Sequence, residues 1–335
     1  MTRLPAAGRF LRTALTAAPI ACAMAAMCAC GSHGPAGKRQ YLVAFSQCDG
    51  ASPYHAAQSE RMGKLLGAYR DARLTIEDAQ GDSATQVAQI EAFIQRKPDL
   101  LIVAPNDREA ITEVMGKAMR AHIPTICLGQ AISAPNYVTR IHSDNAMIGR
   151  MAGELIVQRL IRKYGRPVGS VVEMRGVPGE DYETDRDAGA KAVFAMYPNI
   201  EVVAEPVADW SEAKAHDRMI EVLHAYPVVD VVYGHNDPMA FGAYQAAREL
   251  ERERGIAFVG VDGLGGPTGG IKGVLDGVLE ATFLNPLGAD EAVEIGNRMM
   301  RQPGFRPEAD YAVRSETIIP DNASDWYVRM TRPAR

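Results

Sequence analysis

Two hydrogen-bonding side chains follow apolar runs of the sequence and suggest a binding site. Asn236 comes just after the run Val229–Tyr233, and Asp262 directly follows Ala257–Val261. In a parallel α/β sheet, such positions lie at the carboxyl edge, where ligands bind. Neither residue has a nucleophile beside it in the sequence. The pattern therefore predicts a site that holds a small polar molecule and leaves it unchanged.

Other chemistries lack their sequence motifs. The seven histidines occur singly, without the paired spacing of metal ligands, so we predict no metal site and no cofactor. The stretch Gly265–Gly270 is followed by Ile271, where a phosphate-binding loop needs lysine. Neither Cys48 nor Cys127 has an evident base partner, so both are expected to be free thiols without a catalytic role. The alternative, an enzyme, would turn over the bound molecule.

The N-terminal residues have the features of an export signal. Three arginines precede an apolar, alanine-rich run over residues 14–29, and no acidic residue appears before Asp49. Residues 27–31, Met-Cys-Ala-Cys-Gly, resemble a bacterial lipobox in which Cys30 would be lipidated. The sequence thus predicts a protein of the periplasm or the extracytoplasmic membrane face, associated with the membrane through a lipid anchor. A plain exported signal is the alternative.

The length and net charge of the chain indicate its domain number and exclude one class of partner. The 335 residues suit two domains, after a signal peptide over 1–29 and a flexible stalk over 30–39. Of the 36 basic residues, 33 remain once the three signal arginines are removed, against 41 acidic ones. An acidic surface argues against nucleic acid as a partner, because phosphate binding needs clustered Lys and Arg.

Strand-like and helix-like segments alternate along the rest of the chain. Apolar, β-branched runs from Tyr41–Ser46 onward are separated by segments with helical spacing, and Ser83 and Asp107 fit helix N-caps. The series restarts after a long helix over Ala146–Lys163, and the last predicted element is a strand over Val313–Ile319. This βαβ pattern predicts an α/β fold with two lobes, each built on a parallel sheet.

Several short landmarks in order give the chain a resemblance to a known family. It resembles the periplasmic sugar-binding proteins of the ribose-binding type, the substrate receptors of ABC importers, from about residue 40 to 319. The landmarks are Ser52-Pro-Tyr54, His142-Ser-Asp-Asn145, Glu173-Met-Arg-Gly176, Arg186, Ala208-Asp-Trp210, His235–Ala240, Val259–Gly263 and Ala281–Asn285.

The resemblance implies two Rossmann-like lobes (periplasmic binding protein type I) joined by three hinge crossings, near Ser143, Asn285 and Ala312. The N-terminal lobe would comprise residues 40–143 plus 286–312, and the C-terminal lobe residues 144–285 plus 313–335. A sugar or polyol would bind between the lobes of a monomer and pass to an ABC transporter permease. The alternative partner is a membrane histidine kinase or chemoreceptor, to which the same fold would present its ligand.

The resemblance also implies which residues bind the ligand. Arg186, Asn236, Asp262 and Asn285 would supply hydrogen bonds, while Tyr54 and Trp210 would cover the faces of a sugar ring. Each has a structural alternative: Asp262 could cap a turn, Trp210 could be a packed aromatic, and Arg186 could pair with neighbouring carboxylates. Because one residue before the next helix must cap it, we assign that role to Asp237 and the ligand to Asn236.

The first lobe departs from the family pattern at one position. Ribose-type receptors carry an Asp-Arg pair after the fourth strand, where this chain has Gly129-Gln130. Gln130, Gln47, Asp49 and His55 are the candidates to replace the missing polar groups. The identity of the sugar or polyol is therefore open.

Overall fold

Two six-stranded sheets, each covered by helices, organise residues 39–331, the part of the chain that a computed structural model describes. The predicted signal peptide, Cys30 and the stalk up to residue 38 lie outside the described residues. The chain passes from one sheet to the other three times, near Ser143, after Asn285 and between Val313 and Thr317. This arrangement confirms the predicted two-lobed α/β fold.

The first sheet has only parallel neighbours, in the order β11-β5-β4-β3-β1-β2. Strands β3 and β4 in its middle are buried along their whole length, as expected for a sheet covered on both faces, whereas the edge strands β2 and β11 carry polar residues. The strands are β1 Tyr41–Gln47, β2 Ala72–Asp78, β3 Leu100–Val103, β4 Thr125–Leu128, β5 Thr139–Ser143 and β11 Asp310–Val313.

The second sheet has the order β12-β10-β9-β8-β6-β7, and only β12 runs antiparallel to its neighbour. The chain reverses direction at β12 because it enters this lobe from the other sheet rather than from a crossover helix. The strands are β6 Gly169–Met174, β7 Ile200–Ala204, β8 Val231–Gly234, β9 Ala257–Asp262, β10 Ala281–Leu284 and β12 Thr317–Ile318.

Ten α-helices cover the two sheets within the described residues. Helices α4 and α5 pack against each other and against the second sheet, whereas α1 and α9 pack together on the first. None of the described helices combines the length and apolar character needed to cross a bilayer. The helices are α1 Pro53–Gly67, α2 Ser83–Arg96, α3 Arg108–Arg120, α4 Asn145–Tyr164, α5 Asp181–Phe194, α6 Glu212–Ala225, α7 Asp237–Glu249, α8 Gly270–Leu275, α9 Ala289–Arg301 and α10 Pro320–Thr331.

The helix starts confirm one predicted cap and correct another. Asp107 caps α3, because its carboxylate accepts a hydrogen bond of 2.7 Å from the backbone N–H of Ala110. The cap of α2 is Asp82 rather than Ser83, with a 2.6 Å bond from the Thr85 N–H. Since Asp82 is extended and Ser83 already helical, only Asp82 can reach an unpaired N–H of the first turn.

The C-terminal residues differ from the prediction. Val313–Ile319 is not one strand: β11 ends at Val313 in the first sheet, and β12 begins at Thr317 in the second. The chain crosses between lobes within this stretch, which apolar alternation alone does not reveal. Helix α10 was not predicted; it packs on the second lobe through Trp326, Tyr327 and Met330.

Candidate functional site

The carboxyl ends of strands from both sheets border one cleft of about 1490 Å³. Its walls come from the ends of β1, β3 and β4 in the first lobe and of β8, β9 and β10 in the second. This is where an open α/β sheet binds ligands. Seven of the eight predicted ligand-binding residues line the cleft: Arg186, Asn236, Asp262, Asn285, Trp210, Tyr54 and Gln130.

Arg186 extends from α5 to the cleft, and hydrogen bonds to residues of the second lobe fix its side chain. It is buried; its Nε donates to Asn145 Oδ1 at 3.0 Å, and its Nη1 donates to the backbone carbonyl of His235. No carboxylate pairs with it among the described residues, so the alternative of a solvated ion pair is wrong. Because a guanidinium has five N–H donors in one plane, the remaining donors are available to a ligand in a fixed orientation.

Asp262 ends β9 in an unusual backbone conformation. Its φ is +123°, a region that favours glycine, and its side chain is buried. Strain of this kind costs about 1–3 kcal/mol and is concentrated at functional sites. Burial raises the pKa of the Asp262 carboxyl to about 6, and the Arg186 guanidinium opposes that rise. The carboxyl accepts a bond of 3.3 Å from Asn285 Nδ2, which leaves further acceptor positions for ligand hydroxyls.

Asp237 is buried beside Asp262, and its hydrogen bonds stabilise this edge of the sheet. Its carboxyl accepts bonds from Thr282 Oγ1 at 2.6 Å and from the Gly263 N–H at 2.9 Å. Burial, reinforced by the charge of Asp262, raises the pKa of Asp237 well above its ordinary value. These contacts connect the start of α7 with the ends of β9 and β10.

Asn236 has two roles where the sequence predicted one. Its Oδ1 accepts a 2.9 Å bond from the Met239 N–H and so caps α7, which corrects the assignment of that cap to Asp237. Its Nδ2 donates to the backbone carbonyl of Trp210 at 3.1 Å. An amide has two N–H donors and two acceptor positions, so Asn236 keeps capacity for a ligand at the cleft surface.

Asn285 connects the two lobes at the second crossing. Its Oδ1 accepts a 2.6 Å hydrogen bond from Ser143 Oγ, and its Nδ2 donates to Asp262. Its backbone N–H also donates to the Asp262 carbonyl at 3.1 Å, which joins the end of β10 to the end of β9. Asp262 is thereby connected through Asn285 to Ser143 at the first crossing between the lobes.

Two aromatic rings border the cleft from opposite lobes. The Tyr54 hydroxyl donates to the Pro286 carbonyl at 2.7 Å, which fixes its ring beside the second crossing. Trp210 and the preceding Asp209 both have positive φ, +63° and +48°, and the Trp210 Nε1 donates to Glu180 at 2.8 Å. Two adjacent non-glycine residues in this conformation indicate a constrained turn. Trp210 both lines the cleft and packs against the core of the second lobe, so the structural alternative also holds for it.

Of the four polar candidates from the first lobe, Gln130, Asp49 and His55 line the cleft and Gln47 does not. Gln47 does not line the cleft: it is buried, and its Nε2 donates to Gln58 Oε1 at 3.0 Å and to Ser59 Oγ at 3.1 Å. Its prediction as a ligand contact is therefore corrected, because these bonds use its amide to position α1. Gln130 does line the cleft, and its side-chain amide makes no hydrogen bond with the described residues.

Cys48 and His55 lie together on the wall of the first lobe. The Cys48 Sγ is 3.6 Å from His55 Nε2, and both residues line the cleft. Burial raises the pKa of the Cys48 thiol to about 12 and lowers the pKa of His55. The pair is therefore a neutral thiol beside a neutral imidazole, which lacks the thiolate that a cysteine nucleophile requires.

Glu180 and Tyr182 are among the cleft residues that the sequence analysis missed, because they have no sequence signal of their own. Glu180 and Tyr182 flank the start of α5, within a stretch whose many acidic residues look like a solvated helix end. Both belong to the cleft lining. The contacts of Asp181, at the start of α5, with the first lobe place them there, and the local sequence pattern does not show these contacts.

One group of carboxylates has oxygens close enough to hold a metal ion. Glu173, Asp187 and Glu205 have ligand atoms within 4.8 Å of one another. Lys191 contacts Asp187 at 2.7 Å and Glu205 at 2.6 Å, and Arg175 contacts Glu205 at 3.0 Å. Lys191 and Arg175 thus already contact carboxylate oxygens of the cluster, which lies outside the cleft lining and is not part of the candidate site.

Comparisons with known proteins agree with this geometry. The model of the periplasmic binding protein domain matches residues 43–300. The chain belongs to the periplasmic binding protein family. Within it, the ribose import binding protein of Salmonella typhimurium is 30% identical over 249 residues, covering 73% of this chain and 80% of that protein. The predicted ribose-binding type is thereby confirmed.

Solved structures of this family superimpose over nearly the whole described chain. The fructose-binding periplasmic domain of a hybrid two-component system has a TM-score of 0.80 at 28% identity, covering 87% of this chain and 95% of that one. The arabinose-transporter binding protein of Shewanella has a TM-score of 0.78 at 26% identity, covering 87% and 95%. Membership of the family implies an extracytoplasmic location.

Proposed function

We propose that this periplasmic binding protein binds an uncharged sugar or polyol between its lobes and delivers it to an ABC transporter permease, without acting as an enzyme. The observation that carries the proposal is the convergence of Arg186, Asn236, Asp262 and Asn285 on one cleft. Together they offer fixed donors and acceptors, which a ligand rich in hydroxyl groups needs. The named ligands of the relatives, ribose, fructose and arabinose, support the same class.

The charges of the cleft favour a neutral ligand. Asp262 and Glu180 would repel an anion, while Arg186 would repel a cation. A hydroxyl group can accept from the guanidinium and donate to the carboxylate at the same time. Trp210 and Tyr54 then offer faces for the C–H groups of the ligand.

Isothermal titration calorimetry with D-ribose, L-arabinose, D-fructose, xylitol and myo-inositol tests the binding proposal. We expect at least one to bind, and Asp262→Asn to weaken that binding about 10- to 100-fold, because a charge-assisted hydrogen bond contributes about 1.5–3 kcal/mol. Asp325→Asn, on the exposed face of α10, is the control. Equal affinities of wild type and Asp262→Asn would show that the site has been placed wrongly.

A second candidate partner is a membrane sensor, because a structural relative is the periplasmic domain of a hybrid two-component system. Uptake of radiolabelled ligand by cells that lack this protein separates the two. Loss of uptake supports import. Unchanged uptake with loss of a ligand-induced transcriptional response would replace import by sensing.

We also propose that Cys30 carries a lipid anchor. The test is metabolic labelling with a radioactive fatty acid, in which label should enter the wild-type protein and be absent from Cys30→Ala. Equal labelling of both proteins, or of neither, would overturn the anchor at this residue.

A further inference from the structure

Tyr182 reaches across the cleft from the second lobe to the first. It is the second residue of α5, and it lines the cleft. Gly129, which follows β4 in the first lobe, has a φ of +87°, and a Cβ at that position would collide with the Tyr182 hydroxyl oxygen. Only a glycine therefore leaves room for the phenol, whose hydroxyl lies close to the backbone of the opposite wall.

A neighbouring contact holds the start of α5 in this place. Asp181 Oδ2 accepts a 2.9 Å hydrogen bond from the backbone N–H of Ala131, two residues after Gly129. The same carboxylate pairs with Arg108 and lies 3.6 Å from Arg140, both in the first lobe. The position of the Tyr182 ring thus follows from contacts between the lobes and does not require a ligand.

The Tyr182 hydroxyl has unused hydrogen-bonding capacity. It makes no hydrogen bond with the described residues, whereas the Tyr54 hydroxyl is already bonded to Pro286. Burial raises the pKa of Tyr182 well above its ordinary value, so the phenol stays neutral. A phenol can donate one bond and accept others, so the Tyr182 hydroxyl is available to a polar group in the cleft. A ligand hydroxyl is the partner that suits a neutral phenol in this position.

We propose that Tyr182 is a specificity-determining ligand contact, which hydrogen-bonds a hydroxyl of the sugar or polyol at the end of the cleft bordered by Gly129. This inference rests on the proposed function, since it names one contact within that site. Tyr182 belongs to the second lobe, but it would contact the ligand where the cleft is bordered by Gly129 of the first lobe. A ligand without a hydroxyl at that end should gain nothing from Tyr182.

The test is calorimetry on Tyr182→Phe, which keeps the ring and removes only the hydroxyl. We expect the best-binding probe among the five named above to bind about 10-fold more weakly to the variant. Among the monodeoxy derivatives of that probe, the one that lacks the contacted hydroxyl should bind wild type and variant equally. Tyr197→Phe is the matched control, because Tyr197 packs against the core of the same lobe outside the cleft lining.

A double-mutant cycle with Gly129→Ala tests whether the Tyr182 hydroxyl lies against Gly129. The added Cβ collides with the hydroxyl, so Gly129→Ala should weaken binding more in wild type than in Tyr182→Phe. The backbone strain of alanine at φ +87° is present in both backgrounds and cancels. An equal loss in both backgrounds would contradict the placement of the hydroxyl against Gly129.

The outcomes distinguish this inference from the proposed function. If Tyr182→Phe binds every probe as wild type does, while Asp262→Asn loses affinity, the cleft is the binding site and the role of Tyr182 is overturned. If wild type binds none of the probes, the proposed function fails and this inference fails with it. Far-ultraviolet circular dichroism and a thermal unfolding midpoint like those of wild type should show that the variant is folded.

Discussion

Asp262 combines a strained backbone with a buried carboxyl, and both lower the stability of the folded protein. Its backbone has a φ of +123°, its side chain is buried, and burial raises its pKa from 3.8 to about 6. Between these two values, the folded state binds more protons than the unfolded state. The stability contributed by this group therefore falls as pH rises through that window and stays lower above it.

Replacing Asp262 by asparagine should stabilise the ligand-free protein at neutral pH. The variant cannot ionise, so we expect its free energy of unfolding to exceed that of wild type by about 1–3 kcal/mol at a pH of about 8. The difference should shrink as the pH falls below about 6, where wild type is protonated. Thermal unfolding of both proteins across this range measures the effect, with Asp325→Asn as control. A difference independent of pH would contradict the assigned ionisation.

At the scale of elements, the alternation of strands and helices could be predicted from the sequence with few errors. Buried parallel strands are apolar runs, and amphipathic helices must cover them, so both leave a local pattern. The helix caps were harder to predict. Asp82 and Ser83 are adjacent residues that are both suitable N-caps, and so are Asn236 and Asp237. Only backbone geometry decides which of the two caps the helix.

The positions of the site residues were predictable to different degrees, depending on what places each side chain. Residues that end a strand, such as Asp262, are placed by topology, so their approach to the cleft follows from the pattern. Gln47 also ends a strand, yet its amide turns inward to α1, because it finds partners there. Tyr182 was not predictable, because its place depends on contacts between lobes.

The loop between β7 and α6 presents Trp210 to the cleft, and Gly176 makes room for it. A Cβ at Gly176 would collide with the indole ring. We therefore expect Gly176→Ala to displace the indole and weaken ligand binding about 10-fold or more. Gly63→Ala, in α1 with no atom near its added Cβ, is the matched control. Calorimetry measures affinity, and tryptophan fluorescence should report the displaced ring; unchanged affinity would show that Trp210 does not contact the ligand.

For the molecule as a whole, the proposed function implies a balance between open and closed lobes, which would limit how tightly a ligand is held. A ligand that contacts both lobes shifts the population toward the closed form by its differential affinity. Contacts between the lobes themselves shift the same balance without a ligand. Asp181 makes such contacts, to the Ala131 N–H and to Arg108.

Removing the charge of Asp181 should therefore open the protein and shorten the lifetime of the complex. In Asp181→Asn the ion pair with Arg108 is lost, so we expect a larger ligand-free radius of gyration and roughly 10-fold faster ligand dissociation, while association changes little. Small-angle X-ray scattering and stopped-flow fluorescence measure the two quantities. Asp185→Asn, one turn further along α5 and exposed, is the matched control. Faster dissociation without any opening would instead mean that Asp181 acts by positioning Tyr182, because the lobe balance would then be unchanged.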